Sequence, residues 1–584
     1  TSLQVPLQYL LQLHQDFLKE LHNEGYEVFL ISARENTKTI KKITNKWLKD
    51  NNIYYLKDNG GDENYHIYSS SFNGAEEKDL TPYPNVVVYP ADYLKDVQDE
   101  ILIQMNKEDA TVFDVYKLNV KTGETKLVAK NPGNIGGWLT DSNGQVRLAL
   151  ETDGVVGTIL YRETEEDEFK PFISIDAGDT VSPLGFSKDN QFIYALSNKG
   201  RDKIELVKYD LKGNEEVIFS NPNVDVLGAA YNLEKDQILY ALYETDKYNF
   251  EFFDSEFETI FNEIKDKLGV DESEFWINDH NKEMTKFIVG VSSDTVYGKY
   301  YYYDLETDTM TPLAELGSWI DSNNLAEMHS VSYEARDGLT IHGYLTLPKN
   351  KVAKDLPLVV IPHGGPWARD SWGFNPEVQL LANQGYAVLQ VNFRSSTGYG
   401  KEFLEAGNKQ WGLKIQDDIT DGVQWAIDLG IADAEKIGIY GASFGGYATL
   451  AGITFTPDLY AAAVDYVGVS NIFTLLETIP PYWETQRNMF YERVGHPEKD
   501  KELLKAASPV FHVDKIKTPL FVAQGANDPR VNKQESDQIV QALKNRGVEV
   551  QYMLKDNEGH GFANEENRIE FYNAMVDFFA KYLK

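Results

Sequence analysis

Five consecutive residues, Gly441-Ala442-Ser443-Phe444-Gly445, carry the first sign of chemistry in this chain. They close the apolar run KIGIYG at 436–441 and open onto YATLAGITF, so Ser443 stands between a predicted strand and a predicted helix. In that setting Gly-x-Ser-x-Gly is a nucleophile elbow, a turn so sharp that only glycines beside the serine avoid neighbouring strands. The pattern alone arises by chance in long chains, but it occurs once here and in the right context. A serine hydroxyl needs a base to take its proton, and in α/β hydrolases the chain order is serine, acid, histidine. Of His496, His512 and His560, only His560 lies in a glycine-flanked loop (DNEGHGF) between the strand-like VEVQYML and a terminal amphipathic segment. Asp528 follows the strand-like PLFVAQG directly, whereas its rivals Asp514 and Asp556 do not. A carboxylate there would fix the tautomer of the imidazole and stabilise its charged form. The plainer alternatives are a turn-forming aspartate and a surface-loop histidine.

The run His363-Gly364-Gly365-Pro366 follows the apolar PLVVIP. Such a glycine loop lets backbone N–H groups approach a reacting carbonyl, and we expect the N–H groups of Gly365 and Phe444 to form an oxyanion hole. Each donor of that kind is typically worth about 10²–10³ in turnover. A tight strand-to-helix turn is the bland reading of the same residues.

The elements that must position these groups come in two rhythms. From about Met328, short apolar runs alternate with helix-length segments: HGYLTLP, PLVVIP, YAVLQVNF, KIGIYG, AAVDYVG, PLFVAQG and VEVQYML, with NPEVQLLANQG and QDDITDGVQWAIDLG between them. That alternation predicts a doubly wound, mostly parallel sheet covered on both faces. Residues 27–327 instead repeat an aromatic strand, a polar turn and a second apolar stretch. The units start at Glu27, His66, Val115, Ile159, Leu206, Phe250 and Tyr300, with gaps of 39 to 50 residues. The period suits a four-stranded blade, so an all-β, seven-bladed propeller is expected, with a large β-sandwich as the competing architecture. The first blade lacks room for four strands, because residues 5–24 have helical spacing within a separate segment, 1–26. The sixth unit runs into EFETIFNEIKDKLG, another helical pattern. The hydrolase-like part then covers 328–584.

Composition narrows the functions. The chain of 584 residues is long enough for two cores. Lys and Arg number 56 against 91 Asp and Glu, a formal charge of −35, which disfavours nucleic acid and anionic membrane surfaces. There is no cysteine, which removes thiolate chemistry and disulfides and suits a reducing cytoplasm. No run of about 18 apolar residues is present and the first residues do not have the form of a signal peptide, although a leader removed before Thr1 is compatible with the sequence. No His-Glu-x-x-His and no phosphate-binding glycine loop occurs, so neither metal nor cofactor is expected.

Taken together, RDGLTIHGYLTLP, HGGPWARDSWGFNPEVQLLANQGYAVLQVNFRSSTGYG, GIYGASFGGYATLAG, QGANDPRV and EGHGFANEENR resemble the prolyl oligopeptidase family of serine peptidases, in particular its bacterial acylaminoacyl-peptidase-like branch. KDNGGDENYHIY at 57–68 is similar to a propeller stretch of that branch. The resemblance implies a propeller over the hydrolase site that admits short peptides, with Ser443, Asp528 and His560 as the triad and Gly365 and Phe444 as oxyanion donors. It also implies that Arg530 binds a substrate carbonyl, though a structural ion pair is an open alternative. Tyr482 and Trp483 are candidates for the pocket beside the scissile bond, or else core residues. The chain departs from the pattern in carrying Arg394-Ser395-Ser396 where many relatives have Arg-Gly-Ser. Dipeptidyl-peptidase relatives hold a free amino terminus with a Glu-Glu pair. The pairs within residues 27–327, at 76–77, 165–166 and 215–216, all lie in charged turns. The expected activity is hydrolysis of short peptides, with a homo-oligomer as a compatible form. The rivals are an esterase using the same groups and a propeller interaction module with an idle hydrolase domain.

Overall fold

The computed structural model describes residues 52–584, apart from 72–75, 95–96, 98 and 350. The helix expected over 5–24 and the unit starting at Glu27 lie outside the described residues. Six small antiparallel sheets come first, spanning 52–79, 88–129, 135–175, 181–219, 226–252 and 275–315. Strands adjacent in sequence are adjacent in each sheet, the up-and-down order of propeller blades. Neighbouring sheets from the first to the fifth touch side by side. The expected count of seven is corrected to six sheets among the described residues. His66, Val115, Ile159, Leu206, Phe250 and Tyr300 fall on one strand of each, so each described unit marks one sheet, and the difference of one is the unit at Glu27.

The fifth sheet has three strands, and after it the chain enters helix α1 (Ser255–Leu268). Asp254 caps its start by accepting the N–H groups of Glu256 and Phe257, each at 2.9 Å. Gly269, in the left-handed conformation, ends it. Phe257, Ile260, Phe261 and Ile264 bury one face of α1 against Leu239 of the fifth sheet and Phe275 and Phe287 of the sixth. Helix α1 thus fills the seam between the two sheets.

The second part is one eight-stranded sheet: β1 (Met328–Glu334), β2 (Thr340–Thr346), β3 (Leu356–Pro362), β4 (Ala387–Asn392), β5 (Ala432–Ala442), β6 (Ala462–Tyr466), β7 (Leu520–Gly525) and β8 (Val550–Lys555). Their spatial order is β1-β2-β4-β3-β5-β6-β7-β8. All pairs from β4 to β8 are parallel, while β2 runs against both its neighbours. The side chains alternate between faces with the period of a strand. Leu358, Val360, Ile437, Ile439 and Val522 pack on one side with helices α3 (Lys414–Asp428), α4 (Phe444–Phe455) and α5 (Gln534–Asn545). Val359, Ile361, Tyr440, Val464 and Phe521 pack on the other with α2 (Pro376–Asn383) and α6 (Glu565–Leu583). Both faces being covered explains why these strands read as continuous apolar runs. β1 was not anticipated: on the rim of the sheet it mixes exposed and buried residues.

One buried charge network ties this sheet to its helices. Arg394, just past β4, donates Nε and Nη2 to Asp418 of α3 at 2.8 and 2.6 Å, and Nη1 and Nη2 to Asp337 at 2.8 and 3.0 Å. Its side chain is 3% exposed and that of Asp418 is fully buried. A guanidinium can be taken out of water only when its donors are paired. Replacing Arg394 with Met strands the Asp418 carboxylate, and we expect a loss of about 3–5 kcal/mol. A urea titration followed by tryptophan fluorescence measures this; a midpoint within error of wild type would show that the network contributes nothing to stability.

Candidate active site

In a parallel sheet every strand delivers its following loop to the same edge. Ser443 follows β5, Asp528 follows β7 and His560 follows β8, so the three predicted groups leave one edge, from β5 and from the last two strands. Ser443 has φ 61° and ψ −119°, a strained conformation for a residue with a side chain. Its flanking glycines permit it: a Cβ on Gly441 would overlap the Gly445 carbonyl, and one on Gly445 would overlap the carbonyl oxygen of Pro362 at the end of β3. The N–H of Ser443 donates to the carbonyl of Tyr466 at 3.0 Å, fastening the elbow to β6. α4 is buried on all sides, as a central helix must be.

Asp528 and His560 are in direct contact, with His560 Nδ1 2.7 Å from Asp528 Oδ2. The two side chains are 0% and 6% exposed. The other carboxylate oxygen accepts the N–H groups of Arg530 and Val531 at 2.9 and 3.0 Å, and Gln524 Nε2 reaches Oδ2 at 3.3 Å. An acceptor held from behind by backbone donors leaves Oδ2 aimed at the imidazole. The histidine loop is fixed by Glu558, which is buried and accepts the N–H groups of Ala563 and Asn564 at 2.7 and 3.0 Å. The N–H of Phe562 also donates to the Tyr466 hydroxyl, so one tyrosine of β6 fastens the serine turn through its carbonyl and the histidine loop through its hydroxyl.

The His363–Pro366 loop lies beside the elbow: a Cβ on Gly364 would stand 3.6 Å from that of Ser443. Among the described residues the Gly365 N–H has no backbone acceptor, and Phe444, first in α4, has no carbonyl in its own helix to bond. His363 holds the loop. Its Nδ1 donates to the Gly364 carbonyl at 2.7 Å, and its Nε2 lies 2.8 Å from Ser396 Oγ. Burial pushes its pKa down to about 4, and the nearby Arg369 adds to the effect. Ser396 thereby acquires a purpose that the Arg-Ser-Ser departure did not suggest. Downstream, Arg369 is buried against Glu244 of the propeller at 3.4 Å and stacks on the ring of Tyr399.

Arg530 makes the ion pair that was its open alternative. Its Nε donates to Oε2 of Glu63, a propeller residue, at 2.8 Å, and the Tyr482 hydroxyl donates to the same oxygen at 3.1 Å. Burial opposes the charge on Arg530, but Glu63 outweighs it and raises the pKa above the ordinary value. The guanidinium also lies 5.9 Å from the ring of Trp483. Trp483 stacks on Phe490 and packs at the margin of the main core. Tyr482 and Trp483 therefore flank Arg530, and Trp483 is a packing residue as well. Glu63 was missed. The acidic pairs singled out by sequence are used elsewhere: Glu77 pairs with Lys57 and Glu215 with Arg201, each within its own sheet.

The strand order and the serine elbow define the class: an α/β hydrolase, here joined to a propeller. Comparison narrows it. Residues 372–584 match the model of the prolyl oligopeptidase family. Dipeptidyl aminopeptidase BIII of Pseudoxanthomonas mexicana is 36% identical over 543 residues, covering 90% of this chain and 78% of that protein. The acylamino-acid-releasing enzyme of Arabidopsis thaliana is 30% identical over 246 residues, covering 41% of this chain and 32% of its own. A puromycin-hydrolyzing peptidase of Mycobacterium tuberculosis superposes with a TM-score of 0.73 over 91% of this chain and 84% of its own, at 18% identity, and so shares the fold. The chain belongs to the prolyl oligopeptidase family and is a serine-type peptidase.

The buried histidine of the His363–Pro366 loop has a pH signature. Between about 6.5, the value for a free histidine, and about 4, the unfolded chain binds a proton that folded His363 refuses. The contribution is complete above that window and is lost as pH falls through it, by something of the order of 3 kcal/mol. Groups common to both proteins cancel in a comparison with His363→Gln. We expect the wild type to lose more stability than that variant between pH 7 and pH 4 in urea titrations; parallel curves would contradict the assignment.

Proposed function

We propose that Ser443, His560 and Asp528 act as nucleophile, base and orienting acid in the hydrolysis of short peptides. The observation that carries this reading is the buried 2.7 Å contact between His560 Nδ1 and Asp528 Oδ2, which turns the other ring nitrogen away from the carboxylate. Ser443 Oγ attacks the scissile carbonyl carbon while its proton passes to His560 Nε2. The carbonyl oxygen, now negative, is held by the N–H groups of Gly365 and Phe444. His560 then protonates the departing amine, the C–N bond breaks, and an ester to Ser443 remains. Water, deprotonated by His560, attacks that ester and releases the acid product. Asp528 keeps its charge throughout and steadies the imidazolium. In the same reading Arg530 binds a substrate carbonyl, a role supported by its anchoring to Glu63 with Tyr482 and Trp483 beside it. No cofactor enters this scheme.

In this reading the sheets from residue 52 to about 327 form the propeller that limits access, and 328–584 form the catalytic domain. The cysteine-free chain suits a reducing compartment such as the cytoplasm, and among the described residues no helix is long and apolar enough to cross a membrane.

A finer reading, release of dipeptides from a free amino terminus, is supported by Glu63. It brings a buried carboxylate from the propeller to the edge of the site, and the relative named for dipeptide release matches across both parts of the chain. Ser443→Ala is expected to lower kcat by about 10⁶, and a fluorophosphonate probe should label Ser443 in the wild type; near-normal turnover of the variant would sink the triad. A dipeptide anilide with a free amine should be cleaved at least tenfold faster than its N-acetylated counterpart, judged by kcat/KM. A preference for the acetylated substrate would point to acylaminoacyl release instead.

A further inference from the structure

The turn at residues 58–63 joins the two long strands of the first propeller sheet, Asn52–Lys57 and His66–Ser71. It is built to keep its shape. Asp62 Oδ1 accepts the N–H groups of Asn59 and Asn64 at 3.2 and 3.1 Å, and Asp58 Oδ2 accepts that of Glu63 at 3.2 Å. Its tip reaches into the hydrolase domain and meets both loops that carry the imidazole and its acid. The Gly60 carbonyl accepts Asn527 Nδ2 at 2.9 Å, one residue before Asp528, and the same amide nitrogen bonds the Asp556 carbonyl at 3.0 Å. Gly61 lies backbone to backbone on Gly559, one residue before His560: a Cβ on Gly61 would overlap the Gly559 nitrogen, and a Cβ on Gly559 would overlap the Gly61 carbonyl. Gly61 also has φ +86°, so space and backbone conformation both require glycine. At the end of the turn, Glu63 holds Arg530 and Tyr482.

The histidine loop is therefore gripped from two sides. Glu558 and Tyr466 hold it within the hydrolase domain, and the propeller turn presses on Gly559 from outside. Proton transfer between Ser443 and His560 depends steeply on geometry, and a misplacement of about 1 Å can cost 10² in rate. We infer that the 58–63 turn is a positioning element for the catalytic loops: through Gly61 against Gly559, and Gly60 against Asn527, the propeller sets the orientation of His560 and so the rate of bond cleavage, apart from any part it plays in access. The inference rests on the triad proposed above.

The test compares full-length Gly61→Ala with Gly269→Ala. Gly269 has a similar left-handed conformation, φ +66°, but open space around its Cβ position and a place at the end of α1, away from the site. Against a dipeptide anilide, Gly61→Ala is expected to lose at least tenfold in kcat with KM changed less than twofold. The acid limb of its kcat/KM–pH profile should move, and Ser443 should react with the fluorophosphonate more slowly by a similar factor. Gly269→Ala should match the wild type in all four readouts. Asn527→Ala, which removes the contact to Gly60 without backbone strain, should lower kcat several-fold and covers the case in which Gly61→Ala does not fold. If the wild type is labelled at Ser443 and the folded Gly61→Ala variant, or Asn527→Ala in its place, keeps wild-type kcat, pH profile and labelling rate, or loses activity through KM alone, the positioning role is overturned and the triad stands. A wild type that is not labelled at Ser443 overturns both.

Discussion

Parallel strands have a direction, and the loops that follow them must all leave at one edge. That constraint organises the hydrolase domain. Ser443, Asp528 and His560 stand 85 and 32 positions apart in sequence, yet each needs only to follow its own strand closely to arrive at the common edge. The rest is fastening. Backbone donors hold Asp528, Glu558 holds the histidine loop, and Tyr466 bonds to both the serine turn and the histidine loop. Preorganisation of this kind spends folding energy to fix polar groups before a substrate arrives. The strained backbone of Ser443 is its local cost.

Much of this was legible in sequence because its signals are local. The runs at PLVVIP, KIGIYG and PLFVAQG announce buried strands, and the turns after them hold the chemistry. EFETIFNEIKDKLG declares α1 through its spacing, with Asp254 before it and Gly269 after it. What sequence does not carry is the partner at a distance. Glu63 meets Arg530 across 467 positions, and nothing about a glutamate after Gly-Gly-Asp specifies that meeting. Arg530 could be given two roles by sequence, and the ion pair with Glu63 is the one the structure displays. The count of seven also included the unit from Glu27, which lies outside the described residues, while the six described units each fall in a sheet of their own.

Electrostatics divides the molecule in an instructive way. The chain is strongly acidic overall, and three arginines at the heart of the molecule or at the junction of its two parts are each set against carboxylates: Arg394 between Asp418 and Asp337, Arg369 against Glu244, Arg530 against Glu63. A guanidinium suits these places because its charge persists when water is removed and its planar fork can satisfy two acceptors at once. The first of these pairs lies within the hydrolase domain. The other two cross to the propeller, and both start from loops next to candidate catalytic groups.

Those two crossings bear on how the halves of such an enzyme can change over evolutionary time. A chimera that borrowed its propeller from a cousin would expose Arg369 and Arg530 to whatever the newcomer happened to present there. Unless that ring supplied an anion at both places, Arg369 would be left buried and Arg530 half-buried without a counter-charge, directly beside the His363–Pro366 loop and the loop of Asp528. The two halves are thus obliged to drift together, and loss of either glutamate would be felt first in the chemistry of a domain to which it does not belong.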